Sequence, residues 1–152
     1  MPSTKMPGEF QLIQQLQRKI TQPDENEARD IIVGIGDDCA VLAGTEGQYL
    51  LVTTDMLVED VHVSRNYSSL RDIGQKAVRV NLSDIAAMGG EPTYAFISLA
   101  LPPSLFLEDF DELWQGLSEA ANEYSLLILG GDTNASFPSP DSRIQTQKPG
   151  LV

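Results

Sequence analysis

The chain has 152 residues, of which 41% are hydrophobic and 21% are charged, a composition typical of one globular domain with a single core. Its 22 acidic and 10 basic side chains give a formal net charge of −12, which disfavours a nucleic-acid partner because such a partner requires a basic surface. The single cysteine, Cys39, excludes an internal disulfide, and the single histidine, His62, argues against a structural zinc site. No apolar stretch is long enough for a signal-peptide core or a membrane span, so we expect a cytoplasmic protein without membrane contact.

The first half of the chain contains one predicted helix and three predicted strands. After a loose N-terminus at residues 1–8, apolar residues recur at helical spacing over residues 9–20. Beyond a polar loop at residues 21–30, three short apolar segments predict strands at Ile31–Val33, Cys39–Leu42 and Tyr49–Val52. A glycine-rich turn at residues 34–38 and a hairpin turn at residues 44–48 separate these strands.

The second half alternates helices with strands. Good helix formers predict a helix from Leu70 to Met88, followed by a strand at Tyr94–Leu101. The apolar stripe from Phe106 to Tyr124 predicts a further helix, and a last buried strand at Leu126–Leu129 runs into a Gly-Gly-Asp sequence. Residues 134–152 keep no period, so we expect an extended or disordered tail there.

Alternating strands and helices predict an α/β (α+β) fold in which a mixed β-sheet carries helices on one face. The hydrophobic pattern does not tell which strands pair with each other. The fold class is therefore predicted without its strand order.

Acidic residues stand where predicted strands or helices end in small residues, namely at Asp37-Asp38, Asp55, Asp84 and Asp132. In α/β sheets the ligand crevice lies at such ends. Carboxylates that converge in one cleft repel each other by several kcal/mol unless cations neutralise them. Oxygen ligands without sulfur or several imidazoles favour Mg²⁺, which bridges substrate phosphates. The pattern predicts a magnesium-assisted phosphate site, and the alternative is local hydrogen bonding by aspartates at loop starts.

Glycine pairs accompany these acids at Gly34/Gly36, Gly89/Gly90 and Gly130/Gly131. Glycine lets backbone N–H groups approach a phosphate closely. The sequence contains no Walker A loop, and residues 34–39 lack the last glycine of the dinucleotide-binding pattern. A phosphate site here would therefore be of neither of these two kinds.

Four segments, which follow one another along the chain, carry a resemblance to a known family. They are Gly34–Ala40, Thr53–Glu59 with His62, Lys76-Ala77 with Val80–Gly89, and Gly130–Thr133. From about Gly8 to Thr133 the chain resembles bacterial thiamine-monophosphate kinase. The wider superfamily, which includes selenophosphate synthetases, aminoimidazole-ribonucleotide synthetases and hydrogenase-maturation proteins, shares the glycine-aspartate theme but resembles the chain less well elsewhere.

The resemblance implies transfer of the γ-phosphoryl group of ATP to thiamine monophosphate, which gives thiamine diphosphate. It implies that residues 9–133 are an N-terminal domain that binds ATP and Mg²⁺, that two copies share a β-barrel in a homodimer, and that the family's C-terminal domain is absent from this chain. By motif position it implies six Mg²⁺ ligands, directly or through water: Asp38, Thr53, Thr54, Asp55, Asp84 and Asp132. It implies that Gly131, Asp132 and Trp114 contact ATP and that His62 faces thiamine monophosphate. No residue is implied as a catalytic base, since a phosphate monoester is ionised near neutral pH.

Several of these and neighbouring residues have a purely structural alternative. Asp84 is alternatively a buried carboxylate bonded to neighbouring hydroxyls, and Trp114 a core residue beside the apolar stripe. Asp37 is expected to stabilise its turn, and Cys39 to be a small buried apolar residue. Lys76 is expected to be a solvated or structural cation.

Two departures from the family pattern matter. Asp60 stands where the family has glycine between the acid and His62, so a positive φ there would be strained. The chain also ends shortly after Asp132, where the family continues. A truncated, dimerising nucleotide- or metal-binding domain without catalytic activity is therefore an alternative function, as is another phosphotransferase of the same superfamily.

Overall fold

The structure of the protein is a computed structural model that describes residues 8–20 and 30–136. The described residues fall into two compact units. The first contains the residues up to Met56 together with Val80–Glu91, and the second contains Leu57–Arg79 together with the residues from Pro92 onward. Most of the expected loose N-terminus, nearly all of the loop at 21–30 and the tail from residue 137 lie outside the described residues.

The first unit is built on an antiparallel three-stranded sheet. Its elements are α1 (Glu9–Lys19), β1 (Ile31–Val33), β2 (Ala40–Ala43), β3 (Tyr49–Val52) and the last part of α2 (Leu70–Ala87). The strand order is β1-β2-β3, and a short 3-10 turn, Thr45–Gly47, joins β2 to β3. Each of these elements lies where the sequence predicts it, to within one residue at each end. Cys39 and Val41 are buried, which confirms the expectation for the cysteine.

The second unit is a strand-helix-strand arrangement. It contains the first part of α2 together with β4 (Tyr94–Leu101), α3 (Leu107–Glu123) and β5 (Leu127–Ala135). Strands β4 and β5 are parallel, because the intervening helix carries the chain back to the starting edge. Acidic residues crowd the first turn of α3, where the helix dipole favours them, and the Asp109 carboxylate accepts the Phe106 amide proton at 3.0 Å.

The last strand is longer than the sequence predicts. The apolar pattern ends it at Leu129 and starts the tail at residue 134, whereas β5 continues to Ala135, which pairs with Leu101 of β4. Glycine and polar side chains interrupt the apolar pattern here, but ladder hydrogen bonds join backbone groups and do not depend on side-chain polarity.

A bulge and a close approach explain the glycines in β5. Leu129 is an extra residue, since its neighbours Ile128 and Gly130 pair with consecutive residues of β4. A Cβ atom at Gly131 would lie 1.6 Å from the carbonyl oxygen of Ile97, so only glycine fits there. The Gly-Gly-Asp sequence therefore lies within a strand and not in a loop.

The mixed α/β class is confirmed, but the single mixed sheet is not. Within residues 8–20 and 30–136 the strands form one antiparallel sheet of three and one parallel sheet of two, and neither closes into a barrel. Strands joined by a short turn pair antiparallel, whereas strands joined by a helix can pair parallel. The hydrophobic pattern does not show which strands pair or in which direction. In the same residue ranges, no helix combines the length and hydropathy needed to cross a membrane.

Helices α2 and α3 approach each other closely within the second unit. A Cβ atom at Gly74 would lie 2.3 Å from the carbonyl oxygen of Leu113, and one at Gly116 would lie 2.0 Å from the carbonyl oxygen of Arg71. Around this contact Leu117 and other small or aliphatic residues of α3 are buried. Nearby, the Arg71 guanidinium forms an ion pair of 2.7 Å with the Glu119 carboxylate. The contact fixes the first part of α2 against α3.

We expect Gly116→Ala to destabilise the protein, because the added methyl group has no space beside the backbone of Arg71. Overpacking of this kind lowers the free energy of unfolding by about 1–3 kcal/mol, measurable by urea titration. The matched control is Gly8→Ala, where a Cβ atom would meet nothing within 4 Å, and it should stay within about 0.5 kcal/mol of the parent protein. Equal effects of the two substitutions would contradict the close helix contact.

Candidate functional site

Five of the predicted metal ligands line one cavity of about 860 Å³ in the first unit. They come from three separate segments: Asp38 before β2, Thr53-Thr54-Asp55 after β3, and Asp84 from α2. Asp38, Thr54 and Asp55 are exposed, whereas Thr53 and Asp84 are half-buried. The structure thus brings these five residues to the lining of one cavity.

The last turns of α2 hold the segment that follows β3. Asn81 and Asp84 are three residues apart on the helix and therefore share a face. The Asp55 amide donates a hydrogen bond to Asn81 Oδ1 at 2.8 Å, and the Thr53 hydroxyl donates to Asp84 Oδ2 at 2.7 Å. Two hydrogen bonds from one helix face consequently fix both ends of the Thr-Thr-Asp segment.

The same threonine links this segment to the glycine-rich turn. Thr53 Oγ1 also lies 3.1 Å from the backbone carbonyl oxygen of Asp38. One oxygen of the Asp84 carboxylate thus accepts a hydrogen bond from a neighbouring hydroxyl, as expected if Asp84 has a structural role. The carboxylate still lines the cavity, so its hydrogen bond and a ligand role are compatible.

Cys39 lies near these acids, and their negative charges affect the pKa of its thiol. Burial raises the pKa of the Cys39 thiol, and the negative charges of Asp84 and then Asp38 raise it further, while a hydrogen bond with Thr53 acts in the opposite direction. The thiol is therefore neutral at pH 7.

The donor atoms of the cavity fit a hard cation. Carboxylate and hydroxyl oxygens are the ligands that Mg²⁺ takes, and neither sulfur nor imidazole lines the cavity. Among the described residues no group of three or more His, Cys, Asp or Glu side chains is close enough together to hold a metal ion. A preformed cage of acidic side chains is therefore absent from those residues. Mg²⁺ usually takes only one or two carboxylates and completes its shell with water and substrate phosphates, so the donor set fits this mode of binding.

The glycine-rich turn is supported from α1. The Gln17 side-chain amide donates to the carbonyl oxygen of Ile35. Gly36 has φ 130°, and a Cβ atom there would lie 2.7 Å from the Gln17 side-chain nitrogen. Asp37 accepts the amide proton of Asp38 at 3.0 Å, which agrees with its expected role in stabilising the turn.

The predicted ATP contacts belong to the second unit. Gly131, Asp132 and Trp114 line a cavity of about 380 Å³ together with residues of β4 and α3. Trp114 is 41% exposed and stacks on Phe110 with ring centroids 6.3 Å apart, so it is not a fully buried core residue. The Asp132 carboxylate accepts hydrogen bonds from the Thr133 amide at 2.9 Å and from the Asn134 side chain at 2.6 Å.

His62 also lies in the second unit, on a turn that precedes α2. Asp60 adopts φ 62°, so the chain takes the positive φ that the family's glycine would allow. Aspartate tolerates this conformation better than most residues, and here its amide donates to the Val63 carbonyl oxygen at 2.7 Å while its carboxylate accepts the Ser64 hydroxyl at 3.2 Å. Lys76 Nζ donates to the carbonyl oxygen of His62 at 2.7 Å, which identifies the lysine as the structural cation that the sequence predicts.

Sequence reasoning missed the part played by Asn81. The signal was present, because Asn81 lies one helical turn before Asp84 in the Val80–Gly89 string, but its partner is the amide of Asp55, far away along the chain. The five cavity residues belong to the first unit, and the remaining predicted site residues belong to the second: His62, Trp114, Gly131 and Asp132. That the two sets converge stays a prediction.

We expect Thr53→Val to lower the free energy of unfolding by about 1–2 kcal/mol, because it leaves Asp84 Oδ2 without its hydroxyl donor. Thr54→Val is the matched control, since the exposed Thr54 hydroxyl has no hydrogen-bond partner in the described part of the chain. Both variants are compared by denaturant titration without divalent cations. An equal loss of stability in the two variants would contradict a stabilising role for the hydrogen bond between Thr53 and Asp84.

Comparisons with known proteins give a consistent family. Residues 36–148 match the family profile described as AIR synthase related protein, N-terminal domain. Thiamine-monophosphate kinase of Bacillus subtilis (strain 168) is 46% identical over 101 residues, covering 66% of this chain and 31% of the relative. Thiamine-monophosphate kinase of Buchnera aphidicola from Acyrthosiphon pisum is 38% identical over 128 residues, covering 83% of this chain and 37% of the relative.

A solved structure shows the same similarity in three dimensions. The structure of AaThiL complexed with AMPPCP and TMP superposes with a TM-score of 0.74 and 34% sequence identity, covering 89% of this chain and 41% of the other. The chain therefore spans about a third of the length of the curated relatives quoted above.

Proposed function

Since the chain belongs to the family of AIR synthase related protein N-terminal domains, we propose that it is the ATP- and Mg²⁺-binding part of a thiamine-monophosphate kinase. The observation that carries this proposal is the cavity that Asp38, Asp55 and Asp84 line from three segments. The kinases of similar sequence and the AMPPCP and TMP complex of AaThiL support the choice of reaction and substrates. The proposed activity is transfer of the γ-phosphoryl group of ATP to the phosphate of thiamine monophosphate, and it belongs to the whole protein.

The proposed metal ligands follow the motif positions. Asp38, Asp55, Asp84 and Asp132 would supply carboxylate oxygens to Mg²⁺, and Thr53 and Thr54 would supply hydroxyl oxygens, directly or through water. When bound, Mg²⁺ neutralises the charge of the nucleotide phosphates and of the acceptor phosphate.

The residues of the chain itself contribute orientation. Asn81 and Asp84 hold the backbone of the Thr53–Asp55 segment in place, so this backbone does not have to be ordered during the reaction. Phosphoryl transfer has a loose transition state in which positioning and charge neutralisation provide most of the acceleration. No general base is proposed, because the acceptor phosphate is ionised near neutral pH.

The nucleotide and the second substrate are assigned to the second unit. Gly131 lines the second-unit cavity beside Trp114, whose exposed ring offers a face to the base. His62 is proposed to donate a hydrogen bond to the phosphate of thiamine monophosphate.

We also propose a cytoplasmic homodimer. Several large apolar residues of the first-unit sheet are exposed, among them Ile32, Tyr49 and Leu50 at 53%, 65% and 53%. Exposed apolar area on this scale favours coverage by another surface, and a β-barrel shared with a second copy would provide it.

A second candidate function is a binding module without catalytic activity. Another phosphotransferase of the superfamily is a further alternative, which a panel of phosphate-bearing acceptors distinguishes.

The test compares Asp55→Asn with Asp111→Asn, which makes the same change of charge at an exposed position of α3. In the presence of Mg²⁺ we expect ATP to raise the melting temperature of the parent protein, and to bind at least about tenfold more weakly to Asp55→Asn. Asp111→Asn should bind like the parent protein. ATP binding that is independent of Mg²⁺, or equal losses in the two variants, would contradict the proposed site. Formation of thiamine diphosphate from thiamine monophosphate would decide between the kinase and the binding module.

A further inference from the structure

The imidazole of His62 has one nitrogen occupied and one free. Its Nδ1 atom lies 3.1 Å from the backbone nitrogen of Val58 and accepts that amide proton. A neutral imidazole that accepts at Nδ1 must carry its own proton on Nε2. The side chain is exposed, and Nε2 has no hydrogen-bond partner among the residues that the structure describes.

The backbone of His62 is held from both sides. Its amide donates to the Val58 carbonyl oxygen at 2.9 Å, and its carbonyl oxygen accepts a hydrogen bond from Lys76 Nζ at 2.7 Å. The turn has a buried anchor as well, since Ser64 is only 4% exposed and donates to the Asp60 carboxylate.

Lys76 itself projects from a well-supported helix. The N-terminus of α2 is capped by Ser69, whose hydroxyl oxygen lies 3.1 Å from the amide nitrogen of Asp72. The Asp72 carboxylate in turn accepts the Ser69 hydroxyl proton at 2.7 Å, and this hydrogen bond lowers the pKa of Asp72. Two residues before Lys76, Gly74 packs directly against the backbone of α3. The Lys76 side chain therefore extends from a helix that is held by its N-cap and by its packing against α3.

We propose that Lys76 is a positioning residue for His62 and that, together with the Val58 amide, it presents the Nε2–H group of this histidine to an oxygen of a bound phosphate monoester. This inference rests on the proposed function for the identity of the monoester, thiamine monophosphate. It assigns to Lys76 a role through the His62 carbonyl group, without contact with the phosphate. A phosphate oxygen accepts hydrogen bonds only, so the tautomer that the Val58 amide selects is the one that can bind it.

The geometry distinguishes this role from a direct one. A lysine that binds phosphate would aim its ammonium group at the ligand, whereas Lys76 Nζ is engaged with a backbone carbonyl oxygen of the turn. Loss of the ammonium group should then disturb His62 first and ligand binding as a consequence.

The first measurement is nuclear magnetic resonance of isotope-labelled protein, in which His62 is the only histidine and gives one set of imidazole signals. We expect a scalar coupling across the hydrogen bond between the Val58 amide nitrogen and Nδ1, and a proton on Nε2. Absence of this coupling in the parent protein would overturn the proposal.

The second measurement uses three variants, with thiamine monophosphate and Mg²⁺ in a calorimetric titration. Lys76→Met should lose the coupling and bind thiamine monophosphate about tenfold more weakly, the equivalent of about 1.4 kcal/mol. Lys76→Arg keeps a charged donor and should retain both properties. Lys19→Met is the control for loss of one positive charge, since Lys19 is an exposed residue at the end of α1, and it should behave like the parent protein.

The outcomes separate this inference from the proposed function. Weaker binding by Lys76→Met with the coupling intact would mean that the lysine contacts the phosphate directly, and would overturn the positioning role. A parent protein whose Nε2–H signal shifts with inorganic phosphate but not with thiamine monophosphate would support the inference and overturn the proposed substrate. If neither phosphate compound moves that signal, the inference itself fails.

Discussion

The candidate site depends on one clamp between a helix and the chain that leaves a strand. Asn81 and Asp84, one turn apart on α2, accept hydrogen bonds from the Asp55 amide and the Thr53 hydroxyl at 2.8 and 2.7 Å. Without these bonds the segment after β3 would have no defined relation to the helix that carries Asp84. The clamp therefore fixes the backbone of Thr53–Asp55 beside Asp84, and the contact of Thr53 with the Asp38 carbonyl oxygen adds the glycine-rich turn.

The acids that line this cavity carry negative charges, which a bound divalent cation would neutralise. One oxygen of the Asp84 carboxylate accepts the Thr53 hydroxyl proton. Cys39 beneath them remains a neutral thiol whose pKa is raised by burial and by the same charges. Neutralisation of phosphate charge by Mg²⁺ is what phosphoryl transfer of the proposed kind requires. The His62 turn is built differently, from backbone hydrogen bonds and one lysine, and its exposed imidazole offers a hydrogen-bond donor.

Much of this arrangement could be predicted from the sequence, because it is recorded in local patterns. Hydrophobic spacing located the helices and most strands, and the position of Asp84 on one face of α2 followed from the helical period. The extension of β5 to Ala135 could not be predicted, since its hydrogen bonds come from the backbone of β4 and leave no trace in side-chain polarity. The role of Asn81 was equally hidden, because a hydrogen bond to the Asp55 amide depends on the distance between two segments and not on their composition. The partition into two sheets reflects connection lengths and chain direction, which apolar periodicity does not encode.

The central claim is that acids from separate segments hold Mg²⁺ between themselves and a nucleotide phosphate. The most direct measurement is anomalous diffraction from crystals grown with Mn²⁺ in place of Mg²⁺ and with a non-hydrolysable ATP analogue. The account predicts anomalous peaks within about 2 Å of carboxylate oxygens of Asp38, Asp55 or Asp84 and of the analogue's phosphates. A well-ordered nucleotide whose phosphates lie away from these three residues, with no manganese between them, would contradict it.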